Sequence, residues 1–175
     1  MGSDAKAEIQ RLYEVYADDI YRYARLTLND DSEAHDVVQE VFFRAFKAWH
    51  NFRQDASEKT WLASIARNYM FDVLRKKKNT KQFLSSYTPP YLTDEQQDIT
   101  NVMMVEDAVS KLKKTYRQVF VLRHVEDLSV SETARALGWT EGKVRVTDMR
   151  ALSKLREQLS QGKGVRGYNE FNTRN

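Results

Sequence analysis

Apolar side chains recur every three or four residues along most of the chain, a spacing that predicts amphipathic helices. The first helix is predicted over residues 5–28, with one apolar side formed by Ile9, Leu12, Tyr16, Ile20 and Tyr23. Asp30, followed by Glu33, can cap a second helix that runs to about Trp49. After a polar loop, Asp55 with Glu58 can cap a third helix, which ends in the basic run at 75–78.

The pattern stops between residues 79 and 101, a stretch rich in polar residues that holds the only two prolines, Pro89 and Pro90. A segment of this kind is typical of a linker between domains. Periodicity resumes at residue 102, in stretches that end near Leu112 and Arg123. Ser129 with Glu132 forms a capping box for a short helix. Thr140 can cap a last helix to about Leu159, and the tail at 161–175 is predicted to be disordered.

The chain has 175 residues and, between Ser3 and Leu137, no glycine. A sheet protein needs turn residues at regular intervals, so the sequence predicts an all-α fold. We expect two small helical domains, 5–78 and 102–160, joined by a flexible linker at 79–101. The sequence also lacks cysteine, which excludes disulfides, thiolate metal sites and a cysteine nucleophile.

A helix-turn-helix is predicted near residue 138, because Ala134, Gly138 and Val144 have the spacing that such DNA-binding units share. They supply a small residue at the helix contact, a residue free to take positive φ, and an apolar plug. Arginine can bind guanine edges in the major groove, and lysine binds phosphates. The alternative is a helical hairpin packed for structure alone. The exposed face of the last helix would carry Lys143, Arg145, Val146, Met149, Arg150 and Lys154.

Charge is unevenly distributed. Residues 58–81 carry seven basic and two acidic side chains, and residues 111–156 carry eleven and five, whereas residues 82–110 carry five acidic side chains and no basic one. Two basic blocks separated by an acidic one suggest two surfaces for a polyanion. In the first block, aromatic and amide side chains alternate with cations, as in single-strand binders. Trp61 lies on the apolar side of its helix, and we favour a core position for it over base binding.

Asp36–Phe46, Trp61–Asn68, Asp72 and the basic run together resemble the second conserved region of bacterial extracytoplasmic-function (ECF) sigma factors. Residues 106–157, including Leu122-Arg123 and Leu128-Ser129, resemble the carboxy-terminal promoter-binding domain of that family. The resemblance covers residues 8–157. Within the family, Ser57–Leu62 and Lys143–Arg145 look similar to the sigma-X-like subgroup of Gram-positive bacteria.

The resemblance implies a dissociable subunit of RNA polymerase, and it assigns residues to three surfaces. The second helix would dock on the clamp coiled coil of the large catalytic subunit through Asp36, Gln39, Glu40 and Phe43. The −10 element would bind as a melted strand, with Asn68 at the base-contacting position, on Phe52, Trp61, Arg67, Asn68, Arg75, Lys76 and Lys77. The −35 element would bind as a duplex on Ser129, Lys143, Arg145, Val146, Thr147, Met149, Arg150 and Lys154.

The sequence departs from the family pattern at two positions. Many members carry arginine where this chain has Ser64, and many carry a second arginine where it has Thr147. We therefore expect the −35 contacts to rest on Arg145 and Arg150.

The resemblance also implies a cytoplasmic protein without an enzymatic reaction, a cofactor, a metal or a small-molecule substrate, held in check by an anti-sigma protein that is often membrane-anchored. A stand-alone helix-turn-helix regulator is the alternative, and it would need a dimer interface and a palindromic site. An enzyme is disfavoured. The three histidines, His35, His50 and His124, are scattered, and the sequence holds no glycine-rich phosphate loop or metal-ligand cluster.

Overall fold

The computed structural model describes residues 2–81 and 97–163, and the described residues form seven α-helices. The amino-terminal half contains three of them: α1 (Gly2–Leu28), α2 (Asp31–Ala48) and α3 (Glu58–Lys81). The carboxy-terminal half contains four: α4 (Gln97–Ser110), α5 (Lys114–Phe120), α6 (Val130–Leu137) and α7 (Glu141–Lys163). A short 3-10 turn, Trp49–Asn51, follows α2 and a π turn, Val121–Val125, follows α5. The prediction of an all-α, two-domain fold is confirmed.

The amino-terminal half is a three-helix bundle whose helix ends are set by local residues. α1 ends where Asn29 takes φ 55°, a left-handed conformation that asparagine tolerates better than most residues. Asp30 then caps α2 as predicted, and its side chain accepts the N–H of Glu33 at 2.9 Å. The predicted cap of α3 is wrong. Ser57, which directly precedes the helix, accepts the Thr60 N–H at 3.1 Å, and Asp55 lies two residues before Ser57.

The carboxy-terminal half contains the predicted helix-turn-helix, formed by α6 and α7. Ser129 and Glu132 form the capping box at the start of α6. Gly138 has φ 66°, so the chain turns where glycine carries no steric penalty. The hydroxyl of Thr140 accepts the N–H of Lys143 at 3.2 Å and caps α7. Val144 is fully buried, as an apolar plug between the two helices should be.

The two halves contact each other, which the expectation of separate modules on a tether did not include. α6 packs against α3, and α1 packs against α4, α5 and the π turn. A single cluster of buried apolar residues includes members of both halves. The contact leaves the outer face of α7 open to solvent. On this face Val146 and Met149 are 43% and 64% exposed.

Three predicted boundaries shift. α3 includes residues 79–81 and α4 includes residues 97–101, all of which were assigned to the linker, and α7 extends past Leu159 to Lys163. The rest of the predicted linker, 82–96, and of the predicted disordered tail, 164–175, lies outside the described residues. In the described ranges, no helix is both long and apolar enough to cross a membrane.

Candidate nucleic-acid interface

One face of α7 carries the predicted duplex-binding side chains. The opposite side of the helix is fixed by Val144, Ala151 and Leu155, which are buried against the rest of the half. This packing sets the rotation of α7 about its axis, so six neighbouring side chains face outward. We call them the recognition-helix face: Lys143, Arg145, Val146, Met149, Arg150 and Lys154.

Lys143, Arg145 and Lys154 of this face have partners close by in the chain. Lys143 Nζ lies 3.9 Å above the ring of Trp139. Arg145 Nη2 donates to Glu141 Oε2 at 2.8 Å, and Lys154 Nζ is 2.8 Å from Glu157 Oε2. Solvent-exposed ion pairs contribute little stability, so phosphates or base edges can replace these partners at small cost.

Two residues assigned to the −35 surface stand apart from this face. Thr147 is 9% exposed, because it follows Val144 by three residues and precedes Ala151 by four on the buried side of α7. Its assignment to duplex binding is therefore corrected. Ser129 is exposed at the start of α6, and its hydroxyl accepts the Glu132 N–H at 3.1 Å.

A contact that the sequence did not predict fixes α7 against the π turn. His124 Nε2 lies 2.8 Å from Asp148 Oδ1, and Arg123 Nε lies 3.7 Å from the other oxygen of Asp148. The carboxylate of Asp148 is only 15% exposed. Since Asp148 belongs to α7, this contact helps to set the orientation of the recognition-helix face.

α3 presents several of the predicted single-strand residues along one side. Trp61, Asn68 and Arg75 are spaced by seven residues, so they share a face over a length of about 21 Å. Asn68, Arg75 and Lys76 are exposed. This side of the helix therefore offers a ring, an amide and cations in succession, as a strand-binding surface requires.

An aromatic cluster formed by Trp49, Phe52 and Trp61 lies at the start of this surface. The rings of Phe52 and Trp61 stack at a centroid distance of 4.5 Å, and those of Trp49 and Phe52 at 5.6 Å. Trp61 is half-buried and packs against the edge of the core. The favoured prediction of a core position for Trp61 is thus only partly right, because one part of the side chain remains accessible.

The remaining cations near this surface differ in the groups that they already contact. The guanidinium of Arg67 lies 4.3 Å from the ring centroid of Phe71 and donates to Asn68 Oδ1 at 3.1 Å, so it orients the amide. Lys77 Nζ lies 2.6 Å from Glu33 Oε1 and ties α3 to α2. Arg75 pairs with Asp72 of the same helix at 2.7 Å, but that pair is more exposed to solvent than the pair of Lys77 with Glu33. We therefore expect Lys77 to contribute less to a nucleic-acid contact than Arg75 or Lys76.

The predicted polymerase-binding residues form a third surface, on α2. Asp36, Gln39 and Phe43 recur at helical spacing and are exposed, Phe43 by 53%. Glu40 Oε1 accepts from Arg44 Nε at 2.6 Å, and Lys47 Nζ lies 4.2 Å from the ring centroid of Phe43. An exposed phenylalanine among carboxylates and amides is typical of a protein-binding surface.

The sequence also did not predict the contacts between the halves, and those of Glu126 are the clearest example. Its side chain is 2% exposed and lies between Arg22 and Lys59, at 2.8 and 3.2 Å. The hydrogen bond to Glu126 is the main reason that the pKa of Arg22 is raised. Arg22 precedes Glu126 by 104 residues in the chain, so no local pattern could have paired them.

Comparison with known proteins agrees with the division into two halves. The model of the family Sigma-70 region 2 matches residues 12–80, and that of Sigma-70, region 4 matches residues 103–155. The ECF RNA polymerase sigma factor SigX of Bacillus subtilis is 32% identical over 161 residues, covering 86% of this chain and 82% of SigX. SigW of the same organism is 32% identical over 170 residues, covering 89% of each protein.

Two solved structures share the fold. The sigma factor RpoE from Bartonella quintana, solved with the anti-sigma factor NepR, matches with a TM-score of 0.77 at 19% identity, over 87% of this chain and 97% of RpoE. CnrH, solved with the cytosolic domain of CnrY, matches with a TM-score of 0.69 at 23% identity, over 91% of this chain and 95% of CnrH.

Fold, surfaces and relatives together define a transcription initiation factor with one helical domain on either side of a linker. The chain belongs to the ECF family of RNA polymerase sigma factors. It is thus a promoter-directing subunit of RNA polymerase, and a stand-alone helix-turn-helix regulator is not favoured. SigX and SigW are equally identical to it, so the sigma-X-like assignment stays a prediction.

Proposed function

We propose that this sigma factor recognises its promoter at two places and in two physical states. The recognition-helix face binds the −35 element as a duplex, with Arg145 and Arg150 as the main base contacts. The aromatic cluster and the α3 side from Asn68 to Lys76 bind the −10 element as a melted strand. The observation that supports this division is the contrast between an outward, cationic helix face on α7 and a half-buried aromatic cluster at the start of α3.

The α2 surface is proposed to dock on core RNA polymerase, through Phe43 with Asp36, Gln39 and Glu40. An exposed aromatic ring surrounded by polar groups suits a protein partner better than DNA, because carboxylates repel phosphates. We assign the chain no reaction, cofactor or metal of its own.

We further propose an anti-sigma protein as a regulatory partner, since RpoE was solved in complex with the anti-sigma factor NepR. The chain would then act in the cytoplasm, with sequestration at the membrane where that partner is anchored there. The sigma-X-like subgroup is proposed on the sequence resemblance alone.

Run-off transcription with core RNA polymerase on genomic fragments tests the proposed function. The purified chain should bind core enzyme and start transcription from a restricted set of promoters with shared −35 and −10 sequences. A Phe43→Ala variant should lose core binding while it keeps binding to −35 duplex. Failure of the unmodified chain to retain core enzyme at moderate salt, in the absence of any inhibitor, would reject the proposal.

A further inference from the structure

A buried carboxylate joins the two halves of the chain. Glu126 Oε1 accepts from Arg22 Nε at 2.8 Å, and Glu126 Oε2 lies 3.2 Å from Lys59 Nζ. Lys59 also donates to the backbone carbonyl of Glu126 at 2.8 Å. A carboxylate that is 2% exposed needs charged partners, and here both cations belong to the other half.

The carboxy-terminal half holds Glu126 in place by its own backbone. The π turn ends at this residue, whose N–H donates to the carbonyl of Val121 at 2.9 Å. Asp127 then takes φ 56°, and the N–H of Leu128 returns to the carbonyl of Leu122 at 2.9 Å. The carboxylate is thus presented to the amino-terminal half by a fixed turn.

Two further sets of contacts close the same junction. Buried Arg117 of α5 donates from Nη1 to the carbonyl of Thr27, in the last turn of α1, at 2.9 Å. Arg135 of α6 donates to the carbonyl of Asp55, and Ser57 Oγ lies 3.4 Å from Glu132 Oε1. Asp55 and Ser57 belong to the loop that joins Phe52 to α3, so α6 lies against the loop next to the aromatic cluster.

We propose that the free chain rests in a closed state, in which α6 restricts access to the aromatic cluster and Glu126 provides the ion pairs between the halves. This inference rests on the −10 function proposed above for that cluster. The recognition-helix face stays outward in the closed state. Duplex binding then needs no rearrangement, whereas binding of a melted strand requires the halves to separate.

The arrangement of charged side chains at the junction allows the two halves to separate. Lys59 Nζ lies 3.0 Å from Asp19 Oδ2, and Arg22 Nη2 lies 2.7 Å from Asp19 Oδ1. Both cations therefore keep a carboxylate partner in the amino-terminal half after separation, while Glu126 regains water. Of the ion pairs between the described parts of the two halves, those to Glu126 are the ones exchanged for solvent, so the junction can be opened by a competing partner such as core polymerase.

Energy transfer between two dyes measures the closed state directly. The chain has no cysteine, so Ser32→Cys on α2 and Ser160→Cys on α7, both exposed, provide two unique labelling positions. We expect one high-transfer population for the labelled full-length chain at low salt. Glu126→Lys faces Arg22 and Lys59 with a like charge and should shift most molecules to low transfer.

Two further variants keep the test specific. Asp127→Asn removes one charge from the adjacent exposed residue, at a φ that asparagine tolerates, and should leave the transfer unchanged. Combining Glu126→Lys with Arg22→Glu restores two cations and two anions at the junction and should recover high transfer. Low transfer in the unmodified chain, or no change with Glu126→Lys, would overturn the closed state.

A single-stranded −10 oligonucleotide, without polymerase, tests whether closure restricts the strand-binding surface. Glu126→Lys should bind it roughly tenfold more tightly if only about a tenth of the unmodified chain is open. Equal affinity despite a clear change in transfer would overturn the autoinhibitory role. If transfer and affinity both change but core polymerase gains no promoter specificity, the proposed function fails while the closed state stands.

Discussion

The two surfaces proposed to bind promoter DNA differ in what holds them in place. On α7, the recognition-helix face is set by a stripe of buried residues in the same half, and Arg145 of this face pairs with exposed Glu141. At the start of α3, the aromatic cluster lies beside a loop that Arg135 of the other half contacts through the carbonyl of Asp55. A surface for paired DNA can be fixed by local packing alone. Access to the surface for an unpaired strand depends here on the arrangement of the whole chain.

The largest expected effect tests whether the halves are energetically coupled. Leu62 lies in the core of the amino-terminal half and Leu137 in that of the carboxy-terminal half, both at most 1% exposed. Replacing either by alanine should lower the free energy of unfolding by about 2–5 kcal/mol, because the change leaves a cavity. Calorimetry should show that both variants shift one common transition, since the halves share an interface.

The control for this pair is Ser153→Ala, at an exposed position of α7, which should change stability by less than about 0.5 kcal/mol. Two separate transitions, each sensitive to only one of the leucine variants, would show instead that the halves fold independently.

A smaller effect is expected on the duplex-binding side of the comparison. Arg145→Ala should weaken binding to a −35 duplex by about 1–3 kcal/mol, because a bidentate contact to a base edge is lost. Fluorescence anisotropy at several salt concentrations measures it. Arg145→Lys keeps the charge and should preserve the salt dependence without restoring base discrimination. Full recovery by lysine would mean that Arg145 contacts phosphate only.

On the strand-binding side of the comparison, the loss of a single amide should weaken binding by a smaller amount. Asn68→Ala should reduce affinity for a single-stranded −10 oligonucleotide by about 0.5–1.5 kcal/mol, the usual contribution of one hydrogen bond. The same variant should leave −35 duplex binding unchanged. Gln10→Ala removes an exposed amide from α1 and is the matched control. An equal loss in both assays would point to a folding defect rather than to a base contact.

The smallest effect concerns the pH dependence of α6. The backbone N–H of Ser129 donates to the carboxylate of Glu132 and lowers its pKa below the ordinary 4.5. Its contribution to stability is therefore complete above about pH 4.5 and is lost as the pH falls through the lower pKa of the folded state. Glu132→Gln should remove this pH-dependent contribution to the free energy of unfolding, which is about 0.3–1 kcal/mol. Urea titrations between pH 3 and pH 6 measure it, and an unchanged slope would contradict this role.

The sequence predicted what depends on neighbouring residues. The caps at Asp30, Ser129 and Thr140 and the turn at Gly138 involve partners within four residues, so spacing alone identified them. The position of Thr147 could also have been predicted, because its spacing from Val144 and Ala151 places it on the buried side of α7. The sequence-based assignment followed the family pattern there instead of the helical period.

Contacts between distant residues were beyond prediction. The guanidinium of Arg117 reaches the carbonyl of Thr27 across 90 residues, and nothing in the local sequence marks either residue. Trp61 illustrates an intermediate case. Helical spacing placed it on the apolar side of α3, but its stacking on Phe52 depends on the loop that precedes the helix, and this stacking leaves it half-buried.

The contact between Arg117 and Thr27 has a consequence for local dynamics. The last carbonyls of a helix have no partner within it, and in α1 one of them is capped by a side chain from the other half. When the halves part, Arg117 keeps its bonds to the carbonyls of Val109 and Leu112, but the final turn of α1 loses its cap and should fray. Deuterium uptake at residues 24–29 would then report the separation of the halves in an unlabelled chain.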